Sequence, residues 1–315
     1  MPNWSQVLEE IRQESATRTA EANRQTALAT AAVDTIRRKY MAALHQHTQR
    51  NIIAYYSGFL SKPEIRWSEI TDEDKNGFMM AIHKLDRKKG LDLILHTQGG
   101  NIAATESIVD YLHKMFGTDI RAIVPQIAMS AGTMIACSCK TIFMAKHSSL
   151  GPIDPHIGSL PAYGVLLEFK EACREVKKDP QKIPMWQSII GQYPPAFLGR
   201  CRNAISWSNS FVRDQLEHVM FASDPVPGNA KKRAERAVRK LSSFSGNKSH
   251  ERHINREEAR ETGLDIQDIE APDETLQDLI LTVHHCFMHS LMNTPSFKII
   301  ENHLGVALAK GIRQT

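Results

Sequence analysis

Residues 125 to 140 read "PQIAMSAGTMIACSCK", apolar enough for a protein interior, yet with one hydroxyl, Ser130, set between Met129 and the small pair Ala131-Gly132. A buried hydroxyl without a partner costs about 1 to 3 kcal/mol. Either Ser130 bonds back to a helical carbonyl or it has a chemical role. One strand earlier, "LDLILHTQGGNIAATESIVDYL" places Gly99 and Gly100 between a strand and a helix. Taken blandly this is a tight turn; taken chemically, it lets backbone N–H groups approach an anion or oxyanion at a helix start. The carboxyl ends of neighbouring parallel strands face one crevice, so Gly100 and Ser130 are expected to meet.

The elements that must position these residues are legible in the hydrophobic pattern. "NIIAYY", "LDLILHT", "DIRAIVP" and "TIFMA" predict strands; "DEDKNGFMMAIHKLDRKKG" predicts a helix ending at Gly90, and "AATESIVDYLHKMFG" one ending at Gly117. This alternation argues for a mostly parallel sheet covered by helices. Residues 1–48 lack glycine, have proline only at position 2, and predict a helical extension with a thin apolar stripe: Val7, Leu8, Ile11, Leu28, Val33, Ile36 and Leu44. Such a stripe needs a partner from its own chain or from a neighbouring copy. Beyond residue 160 come proline-punctuated helices, a polar stretch from 224 to 253, and an amphipathic helix near 273 to 292. The expected organisation is a helical extension (1–48), a catalytic-type domain (49–270) and a C-terminal helical tail (271–315).

Composition narrows the function. At 315 residues, 42% hydrophobic and 23% charged, the chain is expected to be globular. Its net charge of +4 is small and concentrated in "KKRAERAVRK", which reads best as a solvated helix face, so nucleic acid is not expected as a partner. Five cysteines without Cys-x-x-Cys spacing argue against a disulfide framework and a zinc ribbon. No signal-peptide core and no apolar run long enough to span a bilayer are present, so a cytoplasmic location is expected.

Four motifs in order, "TQGGNIAATESIVDYL", "MSAGTMIA", "SSLGPIDP" and "HINREEARETGLDI", resemble the Clp-type serine peptidases of the crotonase-like fold. The chain is most similar to the serine dehydrogenase proteinase family, relatives of signal peptide peptidase A and the Clp proteolytic subunit. The resemblance covers roughly residues 90 to 268. It implies a spiral of ββα units, a peptide substrate, a homo-oligomer and no cofactor. It also implies that Ser130 is the nucleophile and that the Gly99-Gly100 pair and Ala131 form the oxyanion site, with Gly100 and Ala131 as donors. In the Clp subunit a histidine lies on the strand reading "SSLGPIDP" here, but register puts Ile153 at that place. This is a departure from the family pattern.

The base is therefore open among several residues. "SHERHINREEA" carries His250 and His253 with Glu251 between them, and Asp154 follows Ile153. A triad with acid and base exchanged in chain order is consistent, with Ser130 the nucleophile, His250 the base and Asp154 the orienting acid. Rivals are His156, Glu251 as acid to His156, and Lys170 as the lysine of a dyad. "VHHCFMHS" sets His285 and His289 at metal-ligand spacing, though its apolar neighbours suit an ordinary packed helix, and no metal site is expected. Cys137 and Cys139 read as inert packing. The functional expectation is a serine peptidase acting by acyl transfer. The alternatives are a catalytically silent scaffold that docks a partner through the N-terminal helix, and an acyl-CoA enzyme of the same fold.

Overall fold

Two helices, α1 (Trp4–Thr19) and α2 (Gln25–Thr48), precede an alternation of β1 (Asn51–Ser57), α3 (Asp74–Ile82), β2 (Leu91–His96), α4 (Ile102–Phe116), β3 (Ile120–Val124), β4 (Ile127–Ala128), α5 (Ala131–Cys137) and β5 (Thr141–Met144). Short strands β6 (Ser149–Leu150), β7 (His156–Ile157) and β8 (Leu160–Pro161) lead into helices α6 (Ala162–Lys178), α7 (Ile183–Ile190), α8 (Phe197–Gln215) and α9 (Asn229–Leu241). The chain closes with β9 (Ile254–Asn255), α10 (Arg256–Thr262), β10 (Ile266–Asp268), α11 (Glu274–Asn293), β11 (Ser296–Asn302) and β12 (Ala307–Gly311). This computed structural model describes residues 4–19, 25–65, 67–243, 246, 249–271 and 273–312; the side chains of 16–19 and 25–30, Leu28 among them, lie outside the description.

The main sheet has the order β10-β5-β3-β2-β1-β11-β12. Its first five strands are parallel, and β11 and β12 add an antiparallel edge. Both faces are covered, which is why the central strands read as apolar runs rather than as alternation. Along β2, Leu91, Leu93 and Leu95 enter a core shared with α4, α5 and α9, while Ile94 enters a second core shared with α1, α2 and α11. Successive side chains of a strand point to opposite faces, so one strand serves two cores.

The second core supplies the partner for the N-terminal stripe. Val7, Ile11, Val33, Ile36 and Leu44 are buried there with Leu276, Ile280, Val283 and Phe287 of α11. The partner is this chain's own C-terminal helix. Two expectations need correction. The helix predicted to run to Gly90 stops at Ile82, and Lys84 then adopts a positive φ of 67°. The C-terminal tail is helical only through α11 and then forms β11 and β12. Its apolar pattern is interrupted by Lys298 and Glu301, which are buried but paired, Lys298 with Asp74 at 2.9 Å and Glu301 with Arg37 and Arg38. Ion pairing satisfies charges that a reading of hydrophobicity assigns to solvent.

Candidate functional site

The turn from β4 into α5 is held tightly. Ser130 is the residue before the helix, at φ 50° and ψ −114°, and its side chain makes no capping bond. A non-glycine residue there costs on the order of 1–3 kcal/mol and persists only where the surroundings impose it. The surroundings are visible in Gly99: a Cβ on that residue would lie 2.7 Å from the Ser130 Cβ, 2.8 Å from the Met129 oxygen and 3.0 Å from the Ala131 nitrogen. Gly132 is equally constrained, since a Cβ there would meet Thr97 Cγ2 at 2.6 Å. The residue that meets Ser130 is thus Gly99 rather than the expected Gly100, whose added Cβ would fall against the Ile70 backbone instead. Ser130 is half-buried, not the fully buried hydroxyl that its apolar neighbours suggest.

The loop 97–101 is fixed on two sides. Thr97 exchanges bonds with Ile127 and Met129, donating to the former at 3.1 Å and accepting from the latter at 2.9 Å. On the other side the Ile70 N–H donates to the Gly99 oxygen at 2.8 Å, and the Asn101 N–H donates to the Ile70 oxygen at 3.0 Å. The Gly100 N–H thus faces away from Ile70, and among the described residues no backbone carbonyl takes it. The Ala131 N–H, first of its helix, is likewise without a backbone acceptor, as helix geometry requires. Two N–H groups near the serine turn thus have no backbone acceptor among the described residues.

A small second sheet, β4-β6-β9, connects this turn to the acid and base candidates. In its parallel pair Ala128 faces Leu150, and carrying that register one residue on sets Met129 against Gly151. A Cβ on Gly151 would indeed touch Met129, 3.1 Å from its Cα. In its antiparallel pair Leu150 faces Ile254. That ladder ends at Leu150 and Ile254, and beyond it Asp154 and His250 meet through their side chains. Their bond is 2.9 Å, His250 Nδ1 to Asp154 Oδ1. The capping box of Asn255 and Glu258, which fixes the start of α10, anchors the His250 segment from its far end.

Asp154 is 2% exposed, whereas the His250 and His156 side chains are 22% and 30% exposed. His156 lies two residues past Asp154, its Nε2 3.8 Å from Asp154 Oδ2 and its ring 4.2 Å from that of His250. Burial, aided by the His250 imidazole, lowers the His156 pKa against the opposing pull of Asp154 and Glu251. Among the described residues these three form the one group of histidine, cysteine or carboxylate side chains close enough to share a metal ion. Ser130 and His250 are not hydrogen-bonded to each other; such contacts are often long before substrate binds.

The other candidates lie elsewhere. Lys170 is exposed on α6 and His253 is exposed, whereas Glu251, also exposed, adjoins His250 and acts on His156 by its charge. His289 accommodates Trp4, whose ring sits 3.9 Å away, and bonds the Trp4 oxygen and Asn293. Cys137 and Cys139 are buried, and burial pushes the Cys137 thiol up to about 12. Ile153 is buried, its N–H donating to Leu241 and its oxygen accepting from Ser208, so this position is structural. One residue escaped the sequence reading: the Thr133 hydroxyl on α5 bonds the Ala128 oxygen at 2.8 Å, the Gly151 oxygen at 3.0 Å and the Gly151 N–H at 2.9 Å. It clamps the serine turn to the segment that follows β6 and leads to Asp154. Only its position, one turn after Ser130, signals this in the sequence.

The geometry defines an α/β protein with a mostly parallel sheet and a strained serine turn, and comparison with known proteins specifies the family. The profile of the ClpP-like SDH-type serine proteinases matches residues 23–293, and the chain belongs to that family. It is 32% identical over 214 residues to the uncharacterized protein MJ0137 of Methanocaldococcus jannaschii, covering 67% of this chain and 65% of that protein. A second uncharacterized protein of that organism, MJ1495, is 40% identical over 99 residues, covering 31% of this chain and 33% of its own length. The chain thus spans just under two thirds of the first relative and a third of the second.

Proposed function

We propose that this protein hydrolyses peptide bonds by acyl transfer to Ser130. The Ser130 Oγ attacks the carbonyl carbon while His250 takes its proton through Nε2, the nitrogen left free by the bond from Nδ1 to Asp154. Asp154 orients the ring and stabilises the imidazolium. Negative charge on the carbonyl oxygen falls between the N–H groups of Gly100 and Ala131, each donor of this kind contributing roughly 3 kcal/mol. Collapse expels the amine, which takes the proton from His250, and water then releases the acid by the same route in reverse. Gly99 is a packing residue of this site, and its own N–H is held by the Thr97 hydroxyl at 3.1 Å.

The observation that carries this reading is the Asp154–His250 bond, made by segments that leave the same small sheet as the strained Ser130 turn. Family membership supports a peptide substrate and assembly into a homo-oligomer, and the composition supports a cytoplasmic setting. Because α1 and α2 are covered by α11, assembly is expected to use other surfaces. No described helix is long and apolar enough to cross a membrane. Labelling with a fluorophosphonate tests the chemistry. A stoichiometric Ser130 adduct supports it, and a folded chain that never labels leaves the silent scaffold.

A further inference from the structure

We propose that Asp154, His156 and His250 bind one zinc-class divalent ion, and that filling this site switches the Ser130 centre off. The switch rests on the peptidase reading above; the binding does not.

One donor atom from each residue lies within 4.8 Å of the other two. A tetrahedral ion with bonds of about 2.0–2.1 Å wants its donors roughly 3.4 Å apart, so closure by at most about 1.4 Å completes the site. The contact from Asp154 Oδ2 to His156 Nε2 is already 3.8 Å. His156 stands on the short β7–β8 hairpin with its side chain partly exposed, so a change of its rotamer can make up the rest. Two imidazoles and one carboxylate select zinc-class ions over magnesium or calcium. The two histidines are partly exposed, so the ion has a path from solvent, and three protein donors leave a fourth position for water.

The consequence for Ser130 holds for either nitrogen of His250. Ligation through Nδ1 removes the proton that Asp154 accepts, so the ring loses its orientation. Ligation through Nε2 occupies the lone pair that would take the proton from Ser130. Both disable the base. His156, which the peptidase mechanism does not use, acquires a role as the third ligand.

The test uses the full chain, freed of metal with a chelator, and zinc alone. Equilibrium dialysis counts the ions, the visible d–d bands of cobalt(II) report the donor set, and fluorophosphonate labelling reports Ser130. One ion per chain is expected, and His156→Asn and Asp154→Asn should each weaken it by at least the roughly tenfold to hundredfold that losing a mere ligand-orienting group costs. Saturating zinc should lower labelling of the unaltered chain by at least about tenfold, since the base it disables is worth on the order of 10² to 10⁴. A chelator should restore it, and His156→Asn should show nearly the same labelling with and without zinc. Binding that survives both substitutions, or equal competition by magnesium, overturns the site. Binding that depends on His156 while labelling ignores zinc overturns the switch alone. A chain that binds zinc through His156 yet never labels keeps the site and removes the peptidase reading.

Discussion

The protein holds two groups of histidines in opposite surroundings, one on each side of its sheet. On the α11 side, His96 and His284 lie among Tyr56 and Phe59, with ring centroids 5.2–5.4 Å from His96. Neither ring nitrogen of His96 has a partner, and burial lowers its pKa to about 3. His284 is also held far below its usual value by burial, reinforced by the neighbouring His96, His285 and His147. No carboxylate acts on either. At the rim of the small sheet, His250 is partly exposed and bonded to buried Asp154. Burial and a displaced pKa are thus poor markers of reactivity here. An oriented, accessible nitrogen is the better one, and only the second group offers it.

The comparison breaks at once if Ser130 is not the centre of that second group. Ser130→Ala removes one oxygen that makes no capping bond, so fluorophosphonate labelling should vanish while the melting temperature holds. Residual labelling of the variant would detach Ser130 from the mechanism.

The two groups should then respond oppositely to the same substitution. His250→Ala should slow Ser130 acylation by on the order of 10² to 10⁴, the usual worth of a positioned general base. His284→Ala should instead lower stability, through the cavity it opens, with acylation per folded molecule little changed. Lys170→Ala, on an exposed face, should alter neither. If Lys170→Ala slows acylation as much as His250→Ala, the dyad reading replaces the triad. Rates from single-turnover labelling alongside thermal melts separate these cases.

Much of this division was legible in the sequence. The strand, Gly-Gly, helix pattern and the "MSAG" turn announce a site, because glycine and small residues are demanded wherever backbones approach closely. Asp154 and His250 were readable as one pairing among several, and the two side chains are hydrogen-bonded. What was not legible lies in long-range polar contacts. Thr133 acts through bonds to backbone on other segments, and strands of two residues such as β4, β6 and β9 carry no period. β11 escaped because Lys298 and Glu301 are buried by pairing with residues more than 220 positions away. Hydrophobic periodicity records which side chains avoid water, not which charges find each other.

A smaller effect tests how far the Ser130 turn depends on its neighbour. Gly99 sits at φ 107°, and an added Cβ would fall 2.7 Å from the Ser130 Cβ and 2.8 Å from a backbone oxygen. Backbone cannot yield as a flexible side chain does, so Gly99→Ala should cost about 1–3 kcal/mol of stability. It should also slow labelling by displacing Ser130. Gly158→Ala, also at positive φ but with open space around it, should show the conformational cost without the loss of labelling. Equal labelling by the two variants would mean that the contact between the turns is not part of the site's geometry. Chemical denaturation and labelling rates measured on the same samples decide it.

The mildest prediction concerns the silent histidines and follows from linkage. The folded-state pKa of His96 is depressed to about 3, against about 6.5 in the unfolded chain. The unfolded state therefore binds more protons below pH 6.5, and stability falls as the pH drops from there toward 3. From His96 alone the loss between pH 7 and 5.5 is on the order of 1 kcal/mol, with His284 acting in the same direction. His96→Leu removes a ring whose nitrogens have no partner, so no hydrogen bond is lost, and stability at pH 7 should hold or rise. Its decline between pH 7 and 5.5 should be shallower than in the unaltered chain. Urea unfolding at the two pH values measures the difference, and identical declines would show that the buried imidazole is not the group that titrates. Acylation by Ser130, corrected for the folded fraction, should be the same in both proteins at pH 7, because His96 faces the other side of the sheet.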